Sequence, residues 1–252
     1  MGDGLRVLVT GASAGLGEAF VRQLAPRCRE LLVVARRGER LSELAQELAD
    51  QCTFQIIGAD LGAMEGQARV VEAIRQGDAL DLLVNNAGFS TYGPFAGSDL
   101  DEELAMVHLH QNATLALTRA ALPAMVERGR GAVINVASIG GLLAIPGAAT
   151  YGATKSFLVS FSRSLRAELA ASGVRVQCLC PGYTRTEMHS RDTFRDFDVG
   201  TVPDAFWMEA EDVVSASLAA LEGDGSAWLV VPGEGNRRLV TRALDELREA
   251  VT

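Results

Sequence analysis

The chain has 252 residues, 48% of them hydrophobic and 22% charged, and its formal net charge is -9. This composition excludes a disordered chain, and the negative charge argues against nucleic-acid and anionic-membrane partners. No apolar run approaches the roughly 18 residues of a membrane span and no secretory leader pattern begins the chain, so we expect a cytoplasmic protein.

Few residues could form disulfides or bind metal: Cys28, Cys52, Cys178, Cys180, His108, His110 and His189. Their spacing matches neither a zinc site nor a redox motif. Cys178 and Cys180 are two apart in an apolar run, so on a strand they share one face as small apolar groups. We therefore expect reduced thiols and no metal site.

Seven apolar runs of strand length alternate with longer amphipathic stretches, which is typical of βα units and a parallel sheet. No linker-like segment divides the chain, so we expect a single domain over 1–252. The predicted fold class is α/β, a doubly wound Rossmann-type domain with helices on both faces of the sheet. The predicted strands are 6–10, 31–35, 53–58, 80–84, 132–137, 175–180 and 228–231.

Helices are predicted at 16–27, 39–51, 63–76, 100–128, 151–172, 210–223 and 236–250. One stretch, 184–207, is too long for a simple connection and carries five large apolar side chains. Long loops of this kind often cover binding sites. We therefore predict a substrate lid at 184–207, followed later by a C-terminal helix at 236–250.

A glycine-rich segment follows the first predicted strand and opens the first helix, reading Thr-Gly-Ala-Ser-Ala-Gly-Leu-Gly over 10–17. Glycines let the backbone turn tightly and approach a pyrophosphate at the helix N-terminus. A plain turn is the alternative. The spacing T-G-x-x-x-G-x-G resembles the cofactor loop of the short-chain dehydrogenase/reductase family, and the predicted contacts are Gly11, Ser13, Gly15, Leu16 and Gly17.

Arg36 and Arg37 follow the second strand, where an NAD enzyme offers a carboxylate to the ribose. A guanidinium can bind a 2'-phosphate that a carboxylate would repel. The pair therefore predicts NADP(H) as cofactor, with Ser13 as a second phosphate contact. The alternative is a solvated basic turn.

Ser138, Tyr151 and Lys155 resemble the S-x12-Y-x3-K signature of the same family. Tyr151 and Lys155 are four apart on a helix, so their side chains leave one face. A nearby ammonium is expected to lower the tyrosine pKa, which makes Tyr151 a candidate general acid and base. Ser138 would donate a hydrogen bond to the substrate oxygen. Taken singly, each has an ordinary structural explanation.

The resemblance implies further cofactor contacts at three strand ends. Asp60 would meet the adenine, the N-N-A-G element would close over the cofactor, and the P-G-x-x-x-T turn would hold the carboxamide. Tyr151 and Lys155 would also touch the cofactor. The implied positions are Asp60, Leu61, Asn86, Ala87, Gly88, Pro181, Gly182, Thr184 and Thr186.

One position departs from the family pattern. The family's fourth catalytic residue, an Asn, corresponds by counting to His110, whereas Asn112 lies two residues further along the helix and faces elsewhere. His110 is therefore the candidate fourth catalytic residue, its carbonyl or imidazole supporting a water. A histidine packed without a catalytic part is the alternative.

The resemblance implies an NADP-dependent oxidoreductase that moves a hydride between the nicotinamide and a carbonyl or secondary alcohol, with ketone or aldehyde reduction favoured. The apolar segment 139–146 and the lid aromatics predict a small, largely apolar substrate. A cofactor-sensing regulatory module is one alternative, although such modules tend to lose the tyrosine. An epimerase or dehydratase is disfavoured by the loop spacing. We expect a homodimer or homotetramer.

Overall fold

The computed structural model describes residues 4–187, 194, 197–223 and 227–251. Seven strands form one parallel sheet in the order β3-β2-β1-β4-β5-β6-β7. The strands are β1 Leu5–Thr10, β2 Cys28–Ala35, β3 Thr53–Gly58, β4 Leu82–Asn85, β5 Gly131–Val136, β6 Val174–Leu179 and β7 Leu229–Val230. The predicted fold class is confirmed.

Eight α-helices alternate with the strands over the described residues. They are α1 Gly15–Leu24, α2 Gly38–Glu47, α3 Met64–Gln76, α4 Leu100–Val107, α5 Thr114–Glu127, α6 Ala149–Glu168, α7 Ala210–Glu222 and α8 Glu234–Ala250. None of the helices in these described ranges has the length and apolar character needed to cross a bilayer.

The sheet is covered on both faces because alternate strand residues point to opposite sides. In β1, Val7 and Val9 belong to a core shared with α1, α2 and α7, whereas Leu8 belongs to a core shared with α3 and α5. A third, smaller cluster joins Cys178 and Cys180 to α6 and α8. The two thiols lie on one face with Sγ atoms 3.8 Å apart. All four cysteines are free.

The predicted helix 100–128 is not a continuous α-helix. A π-helical segment, His108–Ala113, separates α4 from α5. Its wider turn does not change the pattern of apolar and polar residues along the helix. Hydrophobic periodicity therefore did not predict it. Such segments occur often at functional sites.

A buried arginine holds the amino end of the sheet together. Arg6 is 2% exposed, and its Nε lies 2.5 Å from Glu30 Oε2 while its Nη1 donates to the Asp78 carbonyl. Its backbone N–H donates to Asp81 Oδ2 at 2.8 Å. A charge so far from water persists only because these acceptors satisfy it.

Arg6→Met should lower the free energy of unfolding by about 2–4 kcal/mol, because Glu30 and the Asp78 carbonyl lose their partner. Urea unfolding followed by circular dichroism measures this. The control is Arg29→Met, which breaks an exposed pair with Asp78 and should cost less than about 1 kcal/mol. Equal losses in the two variants would contradict the role given to Arg6.

Candidate active site

The glycine-rich loop brings the backbone of β1 and α1 close to the turns after β4 and β6. Gly11 and Gly15 have φ of +66° and +56°, which disfavours side chains. A Cβ on Gly17 would lie 2.1 Å from the Gly11 carbonyl oxygen, and one on Gly15 would lie 2.9 Å from Thr186 Cγ2. No side chain of the described residues caps the first turn of α1 at Ala14. The loop and its uncapped amides therefore fit a phosphate group.

Two asparagines fasten the sheet beneath this loop: Asn85 is the last residue of β4 and Asn86 directly follows it. Asn86 Nδ2 donates to the Thr10 carbonyl at 2.9 Å. Asn85 Nδ2 donates to Asn135 Oδ1 at 2.9 Å and to Thr118 Oγ1 at 3.0 Å. Side-chain bonds thus link the carboxyl ends of β1, β4 and β5 and the helix α5. Ala87 packs on Gly11.

The two arginines after β2 differ in their surroundings. Arg37 donates to Ser13 Oγ from Nη2 at 3.2 Å, and the same nitrogen lies 2.9 Å from Glu187 Oε2. Arg36 is exposed, and its side chain makes no hydrogen bond or ion pair within the described residues. Arg37 therefore lies beside the buried Ser13 hydroxyl, whereas the preceding residue, Arg36, has open donors.

The other predicted cofactor positions follow β3 and β6. Asp60 is exposed and accepts the Gly62 N–H at 2.9 Å, whereas Leu61 is buried. Thr184 is buried and its hydroxyl donates to the Gly182 carbonyl at 3.1 Å. Pro181 is also buried. Leu16, in the first turn of α1, is half-buried. These positions all lie at the carboxyl edge of the sheet, where ligands of such folds bind.

Ser138, Tyr151 and Lys155 meet at the same edge. Ser138 follows β5, and Tyr151 and Lys155 lie in the first two turns of α6. A Cβ on Gly140 would lie 3.4 Å from both Ser138 Oγ and Tyr151 Cε1. Lys155 is 4% exposed, its Nζ donates to the Val136 carbonyl at 2.9 Å, and this nitrogen lies 5.6 Å from the Tyr151 ring centroid.

Burial decides the protonation of these groups. It raises the pKa of Tyr151 above 10, and hydrogen bonding with Ser138 opposes the shift only in part. Burial lowers the pKa of Lys155 to about 8. The expected lowering of the Tyr151 pKa is not met as a net effect, because desolvation of the phenol is the largest influence on that pKa and raises it.

His110 is 1% exposed and both of its ring nitrogens have partners. Nε2 accepts the Phe89 N–H at 3.2 Å, and Nδ1 lies 2.8 Å from Thr154 Oγ1. Burial and the Lys155 charge keep the pKa of His110 well below 6.5, so the ring is neutral at neutral pH.

Asn112 lies on a different side of the π-helical segment. It is exposed, and its Nδ2 lies 3.0 Å from His108 Nδ1. The side chain facing Lys155 and Tyr151 is that of His110, whose ring centroid is 6.0 Å from that of Tyr151.

Aromatic side chains cluster on the segments that follow β4 and β6. Tyr92 lies 5.1 Å from Phe197 and 5.6 Å from Phe194 between ring centroids, and Tyr183 lies 5.4 Å from Trp207. The lid prediction over 184–207 falls partly on 188–193 and 195–196, among them Met188 and His189, which lie outside the described residues.

Three residues of the site were not selected from the sequence: Phe89, Thr154 and Glu187. Phe89 contacts His110 through its backbone N–H, and Thr154 contacts His110 through a hydroxyl on α6, so neither residue forms a sequence motif of its own. The sequence offered one indication of Thr154, which is that it directly precedes Lys155. Glu187 approaches Arg37 only through the fold.

Gly88 is surrounded so closely that a side chain cannot fit. A Cβ there would lie 2.7 Å from His110 Nε2 and 3.6 Å from Lys155 Nζ. Gly88→Ala should therefore lower the free energy of unfolding by about 1–3 kcal/mol through overpacking. The control is Gly97→Ala, since no atom lies within 4 Å of a Cβ at that position. A Gly88→Ala protein as stable in urea as the control would contradict this packing.

Comparison with known proteins gives the same family from sequence and from fold. The family model described as short chain dehydrogenase matches residues 6–195. An NADP-dependent 3-hydroxy acid dehydrogenase of Escherichia coli is 35% identical over 194 residues, covering 76% of this chain and 77% of that protein. A very-long-chain 3-oxoacyl-CoA reductase of Anas platyrhynchos is 34% identical over 193 residues; the match covers 74% of this chain and 62% of that protein.

Two solved structures align over nearly the whole chain. A short-chain dehydrogenase from Sphingobium yanoikuyae in complex with NADPH has a TM-score of 0.85 and 33% identity, covering 98% of this chain and 94% of its own. The bulky-bulky ketone specific alcohol dehydrogenase from Comamonas testosteroni has a TM-score of 0.81 and 28% identity, covering 98% and 95%. The family model, the relatives and the fold agree with the motifs at the carboxyl edge of the sheet, and the chain is a member of the short-chain dehydrogenase/reductase family of oxidoreductases.

Proposed function

We propose that this protein is an NADP(H)-dependent oxidoreductase that interconverts a carbonyl and an alcohol, working as a ketone or aldehyde reductase, with Tyr151 as general acid and base. The observation that carries the proposal is the convergence of Ser138, Tyr151 and Lys155 beside the glycine-rich loop at one edge of the sheet. A proton donor, a hydrogen-bond donor and a buried cation then lie where a cofactor and substrate would meet.

The residues at the carboxyl edge of the sheet fit a dinucleotide. Gly11, Gly15 and Gly17 keep the loop free of side chains, and the uncapped first turn of α1 offers amides to a phosphate. NADP(H), when bound, supplies or accepts the hydride. Lys155 would hold the nicotinamide ribose, and Thr184 and Thr186 the carboxamide.

The 2'-phosphate is assigned to the guanidinium groups after β2. Arg36 is exposed with no side-chain partner in the described part of the chain, and Arg37 already lies against Ser13. The open Arg36 guanidinium and the Ser13 hydroxyl favour a phosphate over a bare ribose, and Arg37 would exchange its contact with Glu187 for the phosphate. Relatives named for NADP and NADPH support the same choice.

Tyr151 transfers the proton in the proposed reaction. In reduction, the carbonyl oxygen gains negative charge as its carbon accepts the hydride, and the Tyr151 hydroxyl gives that oxygen its proton. Ser138 donates a hydrogen bond to the same oxygen, stabilising the charge as it develops. The tyrosinate left behind is stabilised by the Lys155 charge. Because burial raises the pKa of Tyr151, the hydroxyl is protonated at neutral pH, which is the form that reduction consumes.

His110 is assigned a supporting part in this proton transfer. Both ring nitrogens are engaged by protein groups, so the ring has no donor or acceptor left for a bridging water. We therefore propose that the main-chain carbonyl of His110, which lies in the wider turn of the π-helical segment, supports the water linked to Lys155.

The substrate is proposed to be a small, largely apolar carbonyl compound or alcohol. The aromatic rings of Tyr92, Tyr183 and Phe197 come from separate segments and pack together. Tyr183 lies two residues after Pro181, whose carbonyl accepts the Ser138 hydroxyl at 3.5 Å. Such rings offer apolar surface with hydroxyl groups at the edge. The name of the relative from Comamonas testosteroni gives a ketone as that enzyme's substrate, which supports the carbonyl class proposed here but not its small size.

A homodimer or homotetramer is proposed as the working assembly. The helices α4 and α5 expose large apolar residues, Leu100, Leu104 and Leu115, and α8 exposes Leu244 and Leu247. Helical faces with exposed leucines of this kind favour association.

Tyr151→Phe should lower kcat at least about 100-fold, because the proton donor is removed. NADPH affinity, measured by fluorescence enhancement, should stay within about threefold because the loop is untouched. The assay follows NADPH oxidation with a panel of ketones and aldehydes. Wild-type binding of NADPH without turnover of any member would contradict the proposed function, as would a variant retaining a tenth or more of the activity.

Arg36→Asp should reduce the preference for NADPH over NADH, measured as the ratio of kcat/KM values, by at least about tenfold. A lost charged hydrogen bond accounts for about 1.5 kcal/mol, and repulsion adds to it. Arg163→Asp makes the same change of charge on the exposed face of α6 and should leave the ratio within about twofold. A wild-type preference for NADH would overturn the cofactor assignment.

A further inference from the structure

Three hydrogen bonds connect the turn after β4 with the start of the catalytic helix. The Phe89 N–H lies 3.2 Å from His110 Nε2, and His110 Nδ1 lies 2.8 Å from Thr154 Oγ1. Thr154 Oγ1 in turn donates to the Tyr151 carbonyl at 2.8 Å. The three bonds are consecutive, and each leads to the next through one side chain.

The direction of every bond follows from the first. A backbone N–H can only donate, so Nε2 must accept, and the neutral ring then carries its proton on Nδ1. Thr154 Oγ1 receives that proton in a hydrogen bond and has one proton of its own, which goes to the Tyr151 carbonyl. Each donor in the series is thus matched by one acceptor.

Water cannot replace these bonds. Thr154 is 0% exposed and His110 is 1% exposed. A hydroxyl or ring nitrogen at that depth loses its hydrogen-bond energy outright when its partner is removed. Breaking any of these three hydrogen bonds therefore costs substantial free energy.

The catalytic helix needs such a fastening at this end. Tyr151 lies in the first turn of α6, which begins at Ala149, and no side chain of the described residues caps that turn at Ala148. Uncapped first turns fray. The link from His110 through Thr154 ends at the backbone carbonyl of Tyr151, within this first turn of α6.

We propose that Thr154 is a positioning residue, which with His110 holds the first turn of α6 in register with the turn after β4. Lys155, the next residue, points toward the same place, since a Cβ on Gly88 would contact both His110 Nε2 and Lys155 Nζ. The link thereby sets where the Tyr151 hydroxyl and the Lys155 ammonium lie relative to the cofactor turn. Small displacements of such groups slow a reaction strongly.

The kinetic test rests on the proposed function and compares Thr154→Val with Thr154→Ser. Valine keeps the shape without the hydroxyl, and serine keeps the hydroxyl. Thr154→Val should lower kcat at least about tenfold with KM for NADPH within about threefold, and Thr154→Ser should stay within about threefold of wild type. Ser162→Ala, which removes another fully buried hydroxyl of α6, should lower thermal stability and leave kcat within about twofold.

Coupling between the two residues is tested with His110→Ala. If both side chains serve one link, the double variant should be no slower than the slower single variant, within about twofold. Effects that multiply would overturn the link, as would a folded Thr154→Val protein with wild-type kcat, or serine behaving like valine.

A second measurement does not depend on activity. The chain has three histidines and three tyrosines, so 15N-histidine and 13C-tyrosine spectra are simple, and His110→Asn and Tyr151→Phe assign the signals. His110 should show a neutral ring with the proton on Nδ1. Thr154→Val should shift both the His110 Nδ1 and the Tyr151 ring signals, and Thr154→Ser should restore them.

The two measurements separate the possible failures. If the wild type turns over no carbonyl yet these shifts are seen, the proposed function fails and the positioning link stands. A proton on Nε2, a charged ring, or a Tyr151 signal indifferent to Thr154→Val would overturn the link even in an active enzyme.

Discussion

The hydroxyl of Thr10 ties together the two strands on which the whole site depends. It accepts the N–H groups of Asn86 and Ala87, each at 2.9 Å, and donates to the Val84 carbonyl at 3.2 Å. The ladder between β1 and β4 ends at Val9 and Val84, so Thr10 has no ladder partner in β4. This one buried hydroxyl fixes the turn after β4 against the glycine-rich loop. The positions of the next two residues, Gly88 and Phe89, are thereby fixed as well.

From this turn the constraint passes to the helices. Phe89 presents its N–H to His110, and Gly88 leaves the space that the His110 ring and the Lys155 ammonium occupy. The site thus depends on glycines and backbone groups as much as on its reactive side chains. A cleft that must place a phenol, an ammonium and a cofactor within a few ångströms of one another is best built on rigid elements whose own packing is satisfied.

The sequence predicted the fold well because strand length and amphipathic period are local properties. β3 was predicted at its observed bounds, and β5 and β6 within one residue. The π-helical segment was missed since it leaves no mark in composition. The positions of Ser138, Tyr151 and Lys155 followed from spacing, but the direction of the Tyr151 pKa did not. That direction depends on desolvation of the phenol, which arises only from tertiary packing.

The histidine that counting places at the family's asparagine position, His110, would act differently from an asparagine there. An asparagine amide has a donor end and an acceptor end on one short side chain, whereas a neutral imidazole places its donor and acceptor on opposite sides of a rigid ring. The longer ring reaches Thr154 on one side and Phe89 on the other, a span that couples two segments. Its pKa is low because the ring is buried and the Lys155 charge lies nearby, so a second proton on the ring is disfavoured. Because both ring nitrogens are engaged, the proton path that we propose from Lys155 uses a backbone carbonyl of the π-helical segment.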